Sequence, residues 1–157
     1  MPERHYLFDW GDTLMVDAPG QPGPMCDWPE VRLVENAAEC LARLAVRATC
    51  HLATNAQDSD RESIHRALQR GGIDAYLQEV FCFKDVGHMK PEPAYFGFIV
   101  DKLGCSPADV VMVGDSLASD VLGAMRCGLQ AVWYNPAGAM VPDGVTAITS
   151  LLELGEC

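Results

Sequence analysis

The chain has 157 residues, 49% of them hydrophobic and 21% charged, and a formal net charge of −11. That length suits a single domain, 1–157, with a core large enough to need neither disulfides nor structural metals. The apolar content excludes a disordered chain, and the acidity argues against nucleic acid or an anionic membrane as partner, because both reward clustered Lys and Arg. No apolar run reaches the ~20 residues of a membrane helix, and MPERHYLFDW places charge where a signal-peptide core would begin. Seven cysteines, an odd number without a C-x-x-C pair, fit buried thiols in a reducing, cytoplasmic setting. No Cys/His pair has structural-zinc spacing.

Strand and helix signals alternate along the chain. Residues 5–9 (HYLFD) predict a strand. Residues 10–29 hold four prolines and three glycines, a density of breakers that leaves only a loop, with 14–29 as a flap. From Glu30 to about Val46, apolar residues at Val34, Ala37, Ala38, Leu41, Leu44 and Ala45 keep the rhythm of a core-facing helix. A strand at 48–53 follows, then a helix after Asp58 that Gly71-Gly72 stops. Glu79–Phe83 predicts the third strand. Pro93 opens a helix that Gly104 ends, and Val110–Val113 is apolar throughout, as a strand covered on both faces must be. A helix from about Leu117 to Gly128 leads to a strand at Ala131–Tyr134, and the tail reads as a short strand or loop and one helical turn. Strands separated by helices predict an α/β fold: a doubly wound, Rossmann-like parallel sheet of about five strands flanked by helices. Ligands bind such sheets beyond the carboxyl ends of the strands, where the strand order reverses.

Four polar motifs fall at those ends. Asp9 follows the first strand in FDWGDTL, and Thr54 follows the second in LATN. Lys90 lies in the loop after the third, in HMKPEP, and Asp115 and Asp120 follow the fourth in GDSLASD. Singly, each has an ordinary explanation as a helix cap, a turn or a solvated side chain. Together they are chemically coherent. A carboxylate can attack phosphorus and split one hard displacement into two easier ones. Converging carboxylates need a cation, and hard oxygen ligands select Mg²⁺. A hydroxyl and an ammonium can bind the non-bridging oxygens.

The ordered set resembles the four motifs of the haloacid dehalogenase superfamily, whose members are mostly magnesium-dependent phosphohydrolases. The resemblance covers residues 5–134. It implies Asp9 as the nucleophile, Thr54 and Lys90 as catalytic and phosphate-binding groups, and Asn55 beside Thr54 in substrate binding. It also implies Mg²⁺ held by Asp9, Asp115, Asp120 and the backbone carbonyl of Gly11, and a small phosphorylated substrate. Receiver domains share a strand-end Asp, Thr and Lys, but their acidic pair precedes the phosphoacceptor, the reverse of the order found here.

Two features depart from the family pattern. Its first motif is D-x-D-x-T, and the second Asp protonates the leaving group; here that position is Gly11, with Asp12 where the pattern has Gly. Losing a positioned acid/base costs about 10²–10⁴ in rate. Asp12, Asp17 and His88 are the nearby substitutes, each read first as a solvated loop residue. The departure keeps two alternatives open: a weak or inactive phosphate-binding relative, or phosphonatase- or dehalogenase-type chemistry, since Asp9-Trp10 is similar to the phosphonatase motif D-W-A-G-T. The second feature is length. The Asp9–Thr54 and Thr54–Lys90 intervals leave no room for an inserted cap domain, so the expected site is open. Met15, Met25 and Trp28 in the flap predict packing on the sheet, with an apolar lid or a homodimer contact as the other readings.

Overall fold

The computed structural model describes residues 3–156; Cys157, expected among the buried thiols, lies outside them. Six strands form one sheet: β1 (His5–Phe8), β2 (Thr49–Ala53), β3 (Leu77–Phe81), β4 (Val110–Gly114), β5 (Gln130–Tyr134) and β6 (Thr146–Ile148). Their order is β3-β2-β1-β4-β5-β6 and every pairing is parallel. The chain builds outward from β1 through β3, then returns to the other side of β1 with β4. The strand order therefore reverses between β1 and β4. β6 is the strand the tail left open.

Strand alternation divides the core into two layers. Tyr6, Phe8, Leu52, Val111 and Val113 face helices α1 (Ala37–Leu44) and α2 (Arg61–Gly71). Leu7, Ala53, Val110 and Met112 face α4 (Pro93–Leu103), while a single turn, α3 (Phe83–Val86), precedes the Lys90 loop. Asp60 caps α2 by accepting the Ser63 N–H at 2.8 Å, and Gly72, at φ +77°, ends it in the left-handed conformation. Among the described residues, no helix is long and apolar enough to cross a membrane.

Two helices differ from their expected form. The helix predicted from Glu30 begins only at Ala37, because residues 32–34 pair with the flap instead. Val16 N–H donates to the Arg32 carbonyl and Val34 N–H to the Leu14 carbonyl, both at 2.8 Å, and Asn36 turns the chain at φ +68°. The helix predicted from Leu117 starts as a π-helical turn, Leu117–Leu122, and continues as α5 (Gly123–Arg126).

The flap is packed, as its apolar residues predicted. Met15 is fully buried, and Met25 and Trp28 join the same core layer as α1 and α2. Arg70 on α2 fastens it, donating to the carbonyls of Cys26, Trp28 and Pro29. Burial pushes the Cys40 and Cys50 thiols up to about 12, so both are inert and protonated.

At the far end of the sheet from the strand-end motifs, His5 Nδ1 and His51 Nε2 lie 3.0 Å apart in a buried stack. Burial, then the neighbouring His5, pushes His51 down to about 4. The unfolded chain thus takes a proton near pH 6.5 that the folded chain refuses until about pH 4. Stability from this group is full above pH 6.5 and falls as pH drops through that window, by on the order of 3 kcal/mol. We expect the urea midpoint of wild type to fall relative to that of His51→Leu steadily from pH 7 to pH 5. A pH-independent difference would contradict the assignment.

Candidate active site

The carboxyl ends of β1, β2 and β4 meet at the point where the strand order reverses, and three of the four motifs hang directly from them. Asp9 N–H donates to the Val113 carbonyl at 2.9 Å, tying the first motif to β4; Thr54 N–H donates to the Phe81 carbonyl at 3.0 Å, tying the second to β3. Lys90 comes in from the loop after α3, joined to Pro91 by a cis peptide bond.

Lys90 is the centre of the arrangement. Its side chain is 1% exposed, and Nζ donates to Asp9 Oδ1 at 2.9 Å, Asp120 Oδ1 at 2.7 Å and the Ala53 carbonyl at 2.7 Å. Those three acceptors satisfy all three ammonium protons. Burial opposes the charge, but Asp9 and then Asp120 hold Lys90 above the ordinary lysine range. Asn55 fixes the loop that carries it: its amide donates to the Lys90 carbonyl at 3.0 Å, and its carbonyl oxygen accepts the Lys90 N–H at 2.8 Å. The structure thus brings Asn55, expected beside the substrate, into a positioning contact with Lys90, while it also lines the cleft.

Asp9, Asp115 and Asp120 each bring a carboxylate oxygen within 4.8 Å of the others. One lysine faces three acids, so the cluster is short of positive charge. The consequence shows in the acids themselves. Burial opposes ionisation of Asp9, yet Lys90 and hydrogen bonds outweigh it and hold Asp9 below the usual carboxylate range. Burial, then Asp9 by hydrogen bond and like charge, pushes Asp115 up to about 7. Burial also raises Asp120 in spite of Lys90. Such a set takes up either a proton or a hard cation, and the all-oxygen donors suit Mg²⁺. Both Asp120 oxygens already accept protein hydrogens, from Lys90 Nζ and from Ser116 N–H at 3.1 Å. Asp9 and Asp115 are the freer ligands.

Three supports of the site escaped notice in the sequence. Thr13 is fully buried between the first and fourth motifs: its hydroxyl accepts the Asp115 N–H at 3.1 Å and lies 3.4 Å from Asp9 Oδ2 and 3.3 Å from Asp115 Oδ1. Tyr95, also fully buried, donates toward the carbonyls of Thr54 and Phe81. Gly114 is required by close approach, since a Cβ there would fall 2.6 Å from Asp120 Cβ and overlap its carboxylate. Thr13 carried a readable signal as the threonine of the D-x-D-x-T pattern, and Gly114 did so in the GDS turn, which a common turn explained equally well. Gly114→Ala is expected to displace Asp120, lowering stability by about 1–3 kcal/mol and weakening Mg²⁺ binding in a calorimetric titration; unaltered Mg²⁺ binding would show that Asp120 has no part in it.

The three substitutes for the acid absent at Gly11 are separated by position. Asp12 is exposed, sits at φ +60°, and uses its side chain to accept the Asp17 N–H at 3.0 Å. Asp12 and His88 are both absent from the cleft lining, whereas Asp17 lines it beside Gly11. A Cβ on Gly11 would meet Asp17 Cβ at 3.4 Å. The cleft itself encloses about 310 Å³ between Asp9, the flap and residues 54–59, and Thr54 is on its wall. Thr54 Oγ accepts the Ala56 N–H at 3.0 Å, which fixes its rotamer at the end of β2.

Fold and site define a Rossmann-like α/β protein with an acidic cluster at its switch point. The chain belongs to the haloacid dehalogenase-like hydrolases: the family profile matches residues 25–128. It is 31% identical over 127 residues to the N-acylneuraminate-9-phosphatase of Rattus norvegicus, covering 78% of this chain and 50% of that protein. It is 32% identical over 91 residues to the pyrimidine 5'-nucleotidase YjjG of Escherichia coli, covering 55% and 40%. The chain spans half or less of the length of these two curated relatives. A solved structure of an uncharacterized protein from Listeria monocytogenes superimposes with a TM-score of 0.86 at 27% identity, over 98% of this chain and 95% of that one.

Proposed function

We propose that this hydrolase is a magnesium-dependent phosphatase of small phosphate monoesters, working through an aspartyl-phosphate on Asp9. The observation that carries the reading is the Lys90 ammonium, buried and held between Asp9 and Asp120 beside the three-acid cluster. That both curated relatives are named as phosphate-releasing enzymes supports the same class.

In this reading Asp9 Oδ2 attacks phosphorus while Oδ1 stays bonded to Lys90, and the bond to the leaving oxygen breaks as that oxygen takes a proton from solvent water. Water then attacks the phosphorus of the acyl phosphate, releasing phosphate and restoring the Asp9 carboxylate. Lys90 keeps Asp9 ionised and oriented, and its charge lies where the non-bridging oxygens gain negative charge. Thr54 offers a hydroxyl on the other wall. Asp9, Asp115, Asp120 and the Gly11 carbonyl would hold Mg²⁺, whose charge screens the carboxylates from the phosphate dianion.

Gly11 supports a slow enzyme, because no carboxylate extends from that position to protonate the leaving oxygen. The test is a comparison of wild type, Asp9→Asn and Gly11→Asp on a panel of phosphate esters with Mg²⁺. Gly11→Asp meets only ordinary contact with Asp17, and we expect it to raise turnover of alkyl esters by roughly tenfold or more. Esters with good leaving groups should respond less. If no ester is turned over by wild type or Gly11→Asp, the phosphate-binding alternative replaces this one.

A further inference from the structure

We propose that the cleft selects substrates whose leaving group carries no negative charge, with Asp17 and Asp58 as the residues that reject a second anionic group. The inference rests on the phosphatase reading above, and it narrows the substrate class to phosphate monoesters of neutral or cationic alcohols.

The argument is one of charge and position. The cleft runs from Asp9 between the flap and the loop at 54–59, so a phosphate on Asp9 points its leaving group along those walls. Asp17 stands on the flap side and Asp58 on the other. Among the described residues, no Lys, Arg or His lines the cleft. Two nearby cations, Lys90 and Arg70, are spent elsewhere. Lys90 is enclosed by Asp9, Asp120 and the Ala53 carbonyl. Arg70 is bonded to flap carbonyls. Lys84 and Arg66 do not line the cleft either. The first turn of α2, otherwise attractive to anions, is answered by its own Asp60 and Glu62.

The remaining wall is suited to an uncharged group. Met25 and Trp28 present apolar surface, and Gln57 offers a neutral amide. Lys90 and the cation of the acidic cluster accommodate one phosphate dianion. A carboxylate or second phosphate on the leaving group would find Asp17 and Asp58 as the charged side chains of those walls, and like charges near a protein surface repel. Specificity of this kind acts through rejection of the wrong substrate as much as attraction of the right one.

A matched pair of non-hydrolysable phosphonates tests the proposal by calorimetry with Mg²⁺ present. 3-Phosphonopropionamide and 3-phosphonopropionate have nearly the same shape and differ by one tail charge. We expect the amide to bind about tenfold more tightly than the carboxylate. In Asp17→Asn/Asp58→Asn the ratio should fall to about twofold or less, and lowering the salt concentration should widen it in wild type only. Equal or tighter binding of the carboxylate by wild type would overturn the proposal, as would a ratio unmoved by the double substitution. Hydrolysis separates this failure from failure of the phosphatase reading. Ester turnover without charge discrimination removes the present inference alone, whereas no binding of either phosphonate and no turnover removes both.

Discussion

Asp9→Asn is expected to lower Mg²⁺-dependent turnover of any accepted phosphate ester by at least about 10⁴-fold, with no comparable loss of stability. An amide is too poor a nucleophile to form the acyl phosphate, so the loss should appear in kcat, with KM little changed. The fold tolerates the change for a reason visible in the contacts. Lys90 retains Asp120 and the Ala53 carbonyl, and one of three crowded negative charges is removed. The melting temperature should therefore stay within a few degrees of wild type. A variant that unfolds would mean Asp9 is chiefly a structural counter-ion, and one that retains activity would remove it from the chemistry.

Lys90→Met is expected to fail in both respects. Activity falls because the charge beside the transferring phosphoryl group is gone. Stability falls because Asp9 and Asp120, 16% and 2% exposed, lose their shared partner. Removing one member of a buried ion pair typically costs about 3–5 kcal/mol, or roughly 10 °C for a chain of this size. The deficit carries a definite pH dependence. Without Lys90, both carboxyl groups rise above their unfolded values, so the folded state holds protons that the unfolded state releases. The variant's deficit should then be full near neutrality and shrink as pH falls through the raised values. Added Mg²⁺ should recover part of it. Thermal melts at pH 5 and pH 7.5, with and without Mg²⁺, measure both effects, and a deficit that grows on acidification would contradict the ion-pair account.

Which parts of this arrangement could be read from the sequence follows from how each is specified. A parallel sheet gathers all strand carboxyl ends at one edge, so Asp9, Thr54 and Asp115 needed only strand positions to be placed together. Lys90 needed the family motif as well, because it reaches the edge from a loop. The helix predicted from Glu30 shows the limit of periodicity. Leu33 and Val34 lie within the predicted helix, but pairing with Leu14–Val16 recruits them first, a long-range choice that no local pattern records. The π-helical turn at Leu117–Leu122 is similar: its apolar spacing reads as an ordinary helix, while the wider turn accompanies the burial of Asp120. Thr13 stands at the threonine of the D-x-D-x-T pattern, but what it does there depends on a contact with Asp115, far away in the chain. Asp12 and Asp17 flank the flap entrance almost symmetrically in sequence, and only the folded loop turns one to the cleft and the other to the Asp17 N–H.

The flap and the acidic cluster also explain one another. An open edge lets water compete with every electrostatic contact, and packing Met25 and Trp28 against the cleft restores part of the shielding. Arg70 holds the flap in place from α2.

The central claim is that Asp9 accepts the phosphoryl group beside a divalent cation. Crystals soaked with Mg²⁺ and fluoroberyllate test it most directly, since fluoroberyllate on a carboxylate stands in for an aspartyl-phosphate. The account predicts beryllium bonded to Asp9 Oδ2, Lys90 Nζ still on Oδ1, and Mg²⁺ among Asp9, Asp115 and Asp120. Fluoroberyllate absent from Asp9 while Mg²⁺ occupies some other group of ligands would contradict it.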